Sequence, residues 1–398
     1  MQNRLALELP VLILALAGCS SSIMPTMAPP LDGAMLDSTM EAGPEDAASP
    51  IRPTPTPDAS RADASVADAA SDATMDASPP SARECLDSMY RASRDEPFGP
   101  DYDRFSPTVG SHCVGTNHQD IRDIERVVFL GDSITVGSPP TLSRDFYRNV
   151  LADGVASHFS LGAPRALWRE YNPFDGTGAQ RTSGAFSNCA KWGARTDDFL
   201  PEGSGDREFQ IGDCFPGDGP YMARTLVIVT MGGNDIANIT EGGGGAMPER
   251  TVEESWEQTR GFVRRMRSAL DWLKSPGRFP NGVFVVFANM YEFTDGTANV
   301  SSCPASDVAG IDDWSDPSDL ESMVIWANEQ YMQMAVETDT DMVFMLEGFC
   351  GHGFERNNPD SPCYRGPGSE AYFDLTCVHP SPAGHRALAS LFLSVITE

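Results

Sequence analysis

Four short runs rich in β-branched and aromatic residues, Val127–Leu130, Leu226–Val229, Val283–Phe287 and Met342–Leu346, punctuate the chain and alternate with stretches of helical periodicity. Four or five consecutive apolar residues leave a strand no polar face, so it must be covered on both sides. Such strands separated by helices form a parallel sheet, because joining parallel neighbours takes a crossover long enough to hold a helix. The expected fold is α/β: a three-layer domain with a mostly parallel central sheet, binding its ligands at the carboxyl ends of the strands.

The helical stretches carry their own signals. Thr251 and Glu254 form a capping box ahead of Trp256, Val263, Met266, Leu270 and Leu273, which share one face. A second helix is predicted from Asp319 to Val336, with Met323, Met332 and Met334 as core positions, and a last one from the spacing of Leu388, Leu391, Phe392 and Val395. No internal repeat is evident.

The first residues pair Arg4 with a short apolar run, Val11 to Ala17, too short to span a bilayer, which reads as an export signal. It ends in Leu16-Ala17-Gly18-Cys19, which resembles a bacterial lipobox; Cys19 is then the lipidated residue after a signal peptide at 1–19. Ser20 carries no inner-membrane retention signal, which points to an outer-membrane anchor. Cleavage after Ala15-Leu16-Ala17, giving a secreted protein, is the alternative. Residues 20–80 are Ala, Ser, Pro, Thr and Asp with only Arg52 and Arg61 as cations, a composition expected to form a disordered tether. The ordered domain is expected at 81–398.

The formal net charge of -29 argues against nucleic acid, since acidic surface repels phosphates. No protein partner is predicted. Setting Cys19 aside leaves eight cysteines, an even set suited to an oxidising compartment. The simplest pairing joins neighbours, Cys85 with Cys113, Cys189 with Cys214, Cys303 with Cys350 and Cys363 with Cys377, among about 105 connectivities. No C-x-x-C occurs, and no metal or cofactor is expected.

The first strand runs into Gly131-Asp132-Ser133-Ile134-Thr135-Val136-Gly137, so a serine hydroxyl sits just past a strand's carboxyl end, with Thr141, Leu142, Phe146 and Val150 predicting a following helix. Alone, such a tripeptide is common in turns. Three further segments add to it: Asn188-Cys189-Ala190-Lys191-Trp192-Gly193-Ala194-Arg195-Thr196, then Gly232-Gly233-Asn234-Asp235, then His379-Pro380-Ser381-Pro382-Ala383-Gly384-His385 before the last helix. In this order the four blocks, within residues 125–396, resemble the SGNH/GDSL hydrolase family.

The resemblance implies a flavodoxin-like sheet, Ser133 as nucleophile, His379 as general base, and an oxyanion hole from the backbone of Ser133, the backbone of Gly193 and the side chain of Asn234. The family usually places an aspartate three residues before the histidine. Here that position is Thr376. Either Asp374 reaches the imidazole as third member, or the backbone carbonyl of Thr376 orients it.

Other features read plainly. Gly242–Gly245 is expected to be a flexible loop, lacking the ending a phosphate cradle needs; His352 is expected at a loop surface, and His385 packing at the final helix. The implied activity is ester hydrolysis through an acyl-enzyme, on acyl lipids or short-chain acyl esters. Alternatives are a polysaccharide O-deacetylase, an acyltransferase on the same fold, or a non-catalytic envelope lipoprotein that binds.

Overall fold

The computed structural model describes residues 80–87, 99–200, 209–306 and 311–398. The expected signal peptide, Cys19 and nearly all of the tether lie outside the described residues. Among the described residues no helix is long and apolar enough to cross a membrane.

Among the described residues eight strands form: β1 Arg126–Gly131, β2 Tyr171–Asn172, β3 Thr177–Gly178, β4 Thr182–Ser183, β5 Phe186–Asn188, β6 Thr225–Thr230, β7 Val283–Ala288 and β8 Asp341–Val343. The central sheet has the order β4-β5-β1-β6-β7-β8, parallel throughout except for the edge strand β4; β2 and β3 make a separate antiparallel hairpin. The five parallel strands follow the flavodoxin-like order, in which β1 lies at the switch point where connections leave in opposite directions.

Alternation along the strands builds two cores at once. Val128, Leu130, Val227, Val229, Val285 and Phe287 face helices Val252–Leu273 and Pro317–Thr338. Their neighbours Val127, Phe129, Leu226, Ile228, Val286 and Ala288 face helices Tyr147–His158 and Pro382–Ile396. Each fully buried Val, Leu, Ile or Phe contributes about 1.5–3 kcal/mol, so one charged residue in β1 or β6 would breach a core.

The predicted helices form with the expected caps. Thr251 and Glu254 close a capping box, and Ser381 caps the last helix by accepting from Gly384 N–H at 3.2 Å. Met323, Met332 and Met334 are buried.

Four expectations need correction. The fourth strand stops at Val343, because β7 ends at its partner Ala288; the chain then enters helix Met345–Phe349. After Ser133 there is no single helix: one turn, Ser133–Val136, is followed by Pro139 and Pro140, which lack the N–H a helix needs, and the longer helix starts only at Tyr147. Gly242 and Gly243 close helix Gly233–Gly243, and a Cβ on Gly243 would strike the Trp314 ring, so this is packed backbone rather than a flexible loop. Of the disulfides, Cys85–Cys113 and Cys189–Cys214 join neighbours as expected, but the others are Cys303–Cys377 and Cys350–Cys363. Sequence proximity failed there because the histidine loop folds back beside the segment after β7.

Candidate active site

The carboxyl end of β1 is shaped around Gly131. Its φ of 148° puts a Cβ against the Thr230 carbonyl and within 2.6 Å of Thr135 Oγ1, so only glycine fits. The Gln210 side chain clamps its peptide from both sides, accepting from Gly131 N–H at 2.8 Å and donating to Gly131 O at 2.8 Å. Beneath the next turn, Thr135 Oγ1 meets Thr230 Oγ1 at 2.5 Å and Tyr147 Oη at 2.6 Å in a buried hydroxyl chain. Asp132 caps the Ser133 turn by accepting from Ile134 N–H at 2.9 Å.

Ser133 therefore stands on a rigid turn, and its Oγ lies 2.8 Å from His379 Nε2. His379 arrives on a loop held at several points. Cys377 is tied to Cys303, Tyr291 Oη donates to Val378 O at 2.6 Å, and Asp374 N–H donates to His379 O at 2.9 Å. His379 Nδ1 lies 2.8 Å from Thr376 Oγ1, which in turn lies 2.5 Å from Asp374 Oδ1. The third partner is thus neither of the two expected: the hydroxyl of Thr376, not its carbonyl, touches the imidazole, and Asp374 stands behind that hydroxyl. A compact Asp–x–Thr turn, with Asp374 Oδ1 also accepting from Thr376 N–H at 2.8 Å, keeps the carboxylate from reaching the ring itself.

Asn234 opens helix Gly233–Gly243 after Gly232, whose φ of 114° and closeness to Met290 and Tyr331 again demand glycine. Its amide donates one hydrogen to Ala194 O at 3.0 Å, leaving the other available. Gly193, at φ 69°, lies in the turn after β5 that Lys191 N–H fastens to Gly131 O at 3.1 Å and Trp192 Nε1 fastens to Gly137 O at 2.9 Å. Among the described residues, neither the Ser133 N–H nor the Gly193 N–H has a protein hydrogen-bond partner.

Ser133, Asn234 and His379 line one cavity of about 160 Å³, whose other walls are mainly apolar and include Ile236, Val300, Ile311, Leu320, Val324 and Val378. Gly193 is not in that wall. His352 is not either: it stacks on Tyr372 with ring centroids 3.8 Å apart. His385 is buried on the last helix, accepting from Tyr147 N–H at 3.1 Å. Among the described residues, no group of three or more His, Cys, Asp or Glu is placed to hold a metal ion.

Residues 129–387 match the model of the GDSL-like lipase/acylhydrolase family. The chain belongs to this family. Similar solved structures include an extracellular lipase from Streptomyces rimosus, 17% identical over 68% of this chain and 99% of that one, with a TM-score of 0.41. A phospholipase A1 from Streptomyces albidoflavus NA297 is 16% identical over 68% and 99%, with a TM-score of 0.39, and an acetylxylan esterase from Geobacillus stearothermophilus is 17% identical over 70% and 97%, with a TM-score of 0.40. No curated protein sequence matches the chain.

Burial sets the electrostatics of this GDSL hydrolase. It pushes the Asp132 carboxyl up to about 7 and that of Asp235 up to about 6. Asp235 is nonetheless bound, accepting from Thr196 N–H and Thr196 Oγ1 at 3.0 Å each, and so pins the segment that follows Gly193. Burial lowers the His379 pKa, while the nearby Asp374 charge opposes that shift. The imidazole thus stays neutral, and able to accept a proton, to lower pH than an exposed histidine.

Several positioning groups gave no motif signal. Arg148 is wholly buried, lies 4.4 Å over the Trp168 ring, and donates to the carbonyls of Thr135, Trp168 and Val136 at 3.0, 2.7 and 3.3 Å. It thereby gathers the carboxyl end of the Ser133 turn, and burial pulls its pKa down to about 9. Tyr291 and Gln210 are equally silent in sequence. The clue for Arg148 was a charged residue among the apolar positions of a helix, which reads as surface without the fold.

Proposed function

We propose that this GDSL hydrolase cleaves carboxylic esters through a covalent acyl-enzyme, with Ser133 as nucleophile and His379 as general base. The observation that carries the reading is the 2.8 Å approach of Ser133 Oγ to His379 Nε2 in the wall of an apolar cavity. As Oγ attacks the ester carbonyl, its proton passes to Nε2 and the carbonyl π pair moves to oxygen. The Ser133 and Gly193 N–H groups and the Asn234 amide are the donors for that oxyanion, each worth about 3 kcal/mol of activation free energy. The imidazolium then gives its proton to the leaving alkoxide, and water repeats the sequence to free the acid.

The cavity volume favours acyl esters of short to medium chain. Its about 160 Å³ is close to the roughly 150 Å³ of an apolar cavity that accepts benzene, so about six carbons fit before a chain must emerge. The test is hydrolysis of p-nitrophenyl esters from acetate to palmitate by the full chain and by Ser133→Ala. Turnover peaking between butyrate and octanoate and lost in the variant is expected. Absence of both turnover and fluorophosphonate labelling would leave a binding lipoprotein as the reading. For location we propose an outer-membrane lipid anchor at Cys19, supported by the Leu16-Ala17-Gly18-Cys19 sequence. Cys19→Ala should then move the protein from the membrane fraction to the soluble one.

A further inference from the structure

A hydroxyl beside a histidine does not by itself choose a tautomer. Thr376 Oγ1 could donate to His379 Nδ1, which would place the ring proton on Nε2 and leave nothing to accept from Ser133. Base function requires the reverse arrangement, with Nδ1–H donating to Thr376. The direction is set by what else the hydroxyl touches.

Asp374 Oδ1, 2.5 Å from Thr376 Oγ1, is a carboxylate oxygen that only accepts, so the Thr376 hydroxyl donates its hydrogen to it. The His379 backbone N–H, 3.3 Å from the same Oγ1, can only donate to it. With one proton committed to Asp374, Thr376 Oγ1 has only lone pairs to offer the ring, and His379 Nδ1 must carry hydrogen. The Asp374 N–H to His379 O bond and the bridge pairing Phe373 with Pro380 hold the two ends of the segment in register.

We propose that Thr376 is a positioning residue that relays Asp374 to His379, so that Ser133, His379, Thr376 and Asp374 form one directed hydrogen-bond chain; this rests on the esterase reading of the site. In the attack step the Ser133 proton moves to Nε2 and no proton leaves Nδ1. The positive charge formed on the ring is stabilised through Nδ1–H to Oγ1 and through O–H to the Asp374 carboxylate. The carboxylate sits one hydroxyl further away than in a direct pair, so its pull on the imidazolium is weaker.

The test compares Thr376→Val, Thr376→Ser, Thr376→Asp and Asp374→Asn as full chains, with kcat, KM and pH profiles on one p-nitrophenyl ester. Wrong-tautomer histidine costs about 10⁴-fold in a serine protease with a direct aspartate, so with the more distant carboxylate a loss of about 10²-fold in kcat is expected for Thr376→Val, at unchanged KM. Thr376→Ser should stay within about threefold of wild type. Thr376→Asp should recover activity and move the acid limb of the pH profile upward, since a carboxylate then faces Nδ1 directly. Asp374→Asn should move that limb downward. Nitrogen-15 NMR of His379 gives a readout independent of turnover: Nδ1–H in wild type and Thr376→Ser, mixed tautomers in Thr376→Val. Equal kcat and equal acid limbs across these variants, with wild-type turnover still abolished by Ser133→Ala, would overturn the relay and leave the esterase reading intact. Wild-type turnover indifferent to Ser133→Ala would overturn both.

Discussion

Replacing Cys303 and Cys377 together by serine opens the longest of the four cross-links among the described residues, which spans 74 positions, against 13 for Cys350–Cys363. Closing a loop of that length removes about 2.1 + 1.5R ln 74 cal/mol/K from the unfolded chain, or about 4.4 kcal/mol at 25 °C. The Cys350–Cys363 bridge lies inside this loop and shortens it, trimming the figure by only about 0.1–0.2 kcal/mol because the dependence is logarithmic. Opening Cys350–Cys363 alone should cost about 2.9 kcal/mol by the same reckoning. Guanidinium unfolding of both variants beside wild type measures each loss. The longer bridge has a second consequence, because Cys377 stands two residues before His379. Its removal should lower kcat while leaving KM nearly unchanged, whereas removal of the shorter bridge, whose cysteines line the cavity wall, should act chiefly on KM. A smaller stability loss for the longer bridge, or an unaltered kcat, would refute the view that this cross-link fixes the histidine loop.

Three further outcomes are expected. Asn234→Ala removes one side-chain donor and should cut kcat by about 10²-fold with little change in KM, read from steady-state kinetics. Because burial lowers the His379 pKa, the acid limb of kcat/KM should fall below the 6.5 of an ordinary histidine; a limb at or above it would contradict that balance of burial and charge. Asp132, raised from 3.8 to about 7, is protonated in the folded state at pH values where the unfolded chain has lost that proton, so its contribution to stability is lost as pH rises through about 7. Asp132→Asn removes this dependence, and the variant should gain on wild type by up to about 4 kcal/mol between pH 4 and 8 in denaturant titrations.

How much of this was legible beforehand depends on the range of the interaction. The β1, β6 and β7 runs and the Thr251 box are local patterns, and they folded as read. Ser133, Asn234 and His379 stood out through the resemblance of their ordered blocks to the SGNH/GDSL family, and the sheet order brings the three side chains to one cavity. The direct partner of His379 was not, since Thr376 and its neighbours permit several turn conformations and only the bridge to Cys303 and the Asp374 to His379 pairing select one. The Cys303–Cys377 link and the carbonyls gathered by Arg148 were hidden for the same reason: their partners are distant in sequence. Met342–Leu346 was over-read as strand because apolarity continues past the point where β7 stops offering partners.

Ser133 and His379 stand 246 positions apart, and the histidine lies just ahead of helix Pro382–Ile396. A chain in which the segment carrying His379 is not yet docked has the serine but not the imidazole that lies 2.8 Å from it. On the proposed esterase reading, a molecule whose His379 loop is detached should be silent toward esters, however well its sheet has formed. On that reading turnover reports that the His379 loop is docked beside Ser133, a condition that the sheet alone does not satisfy.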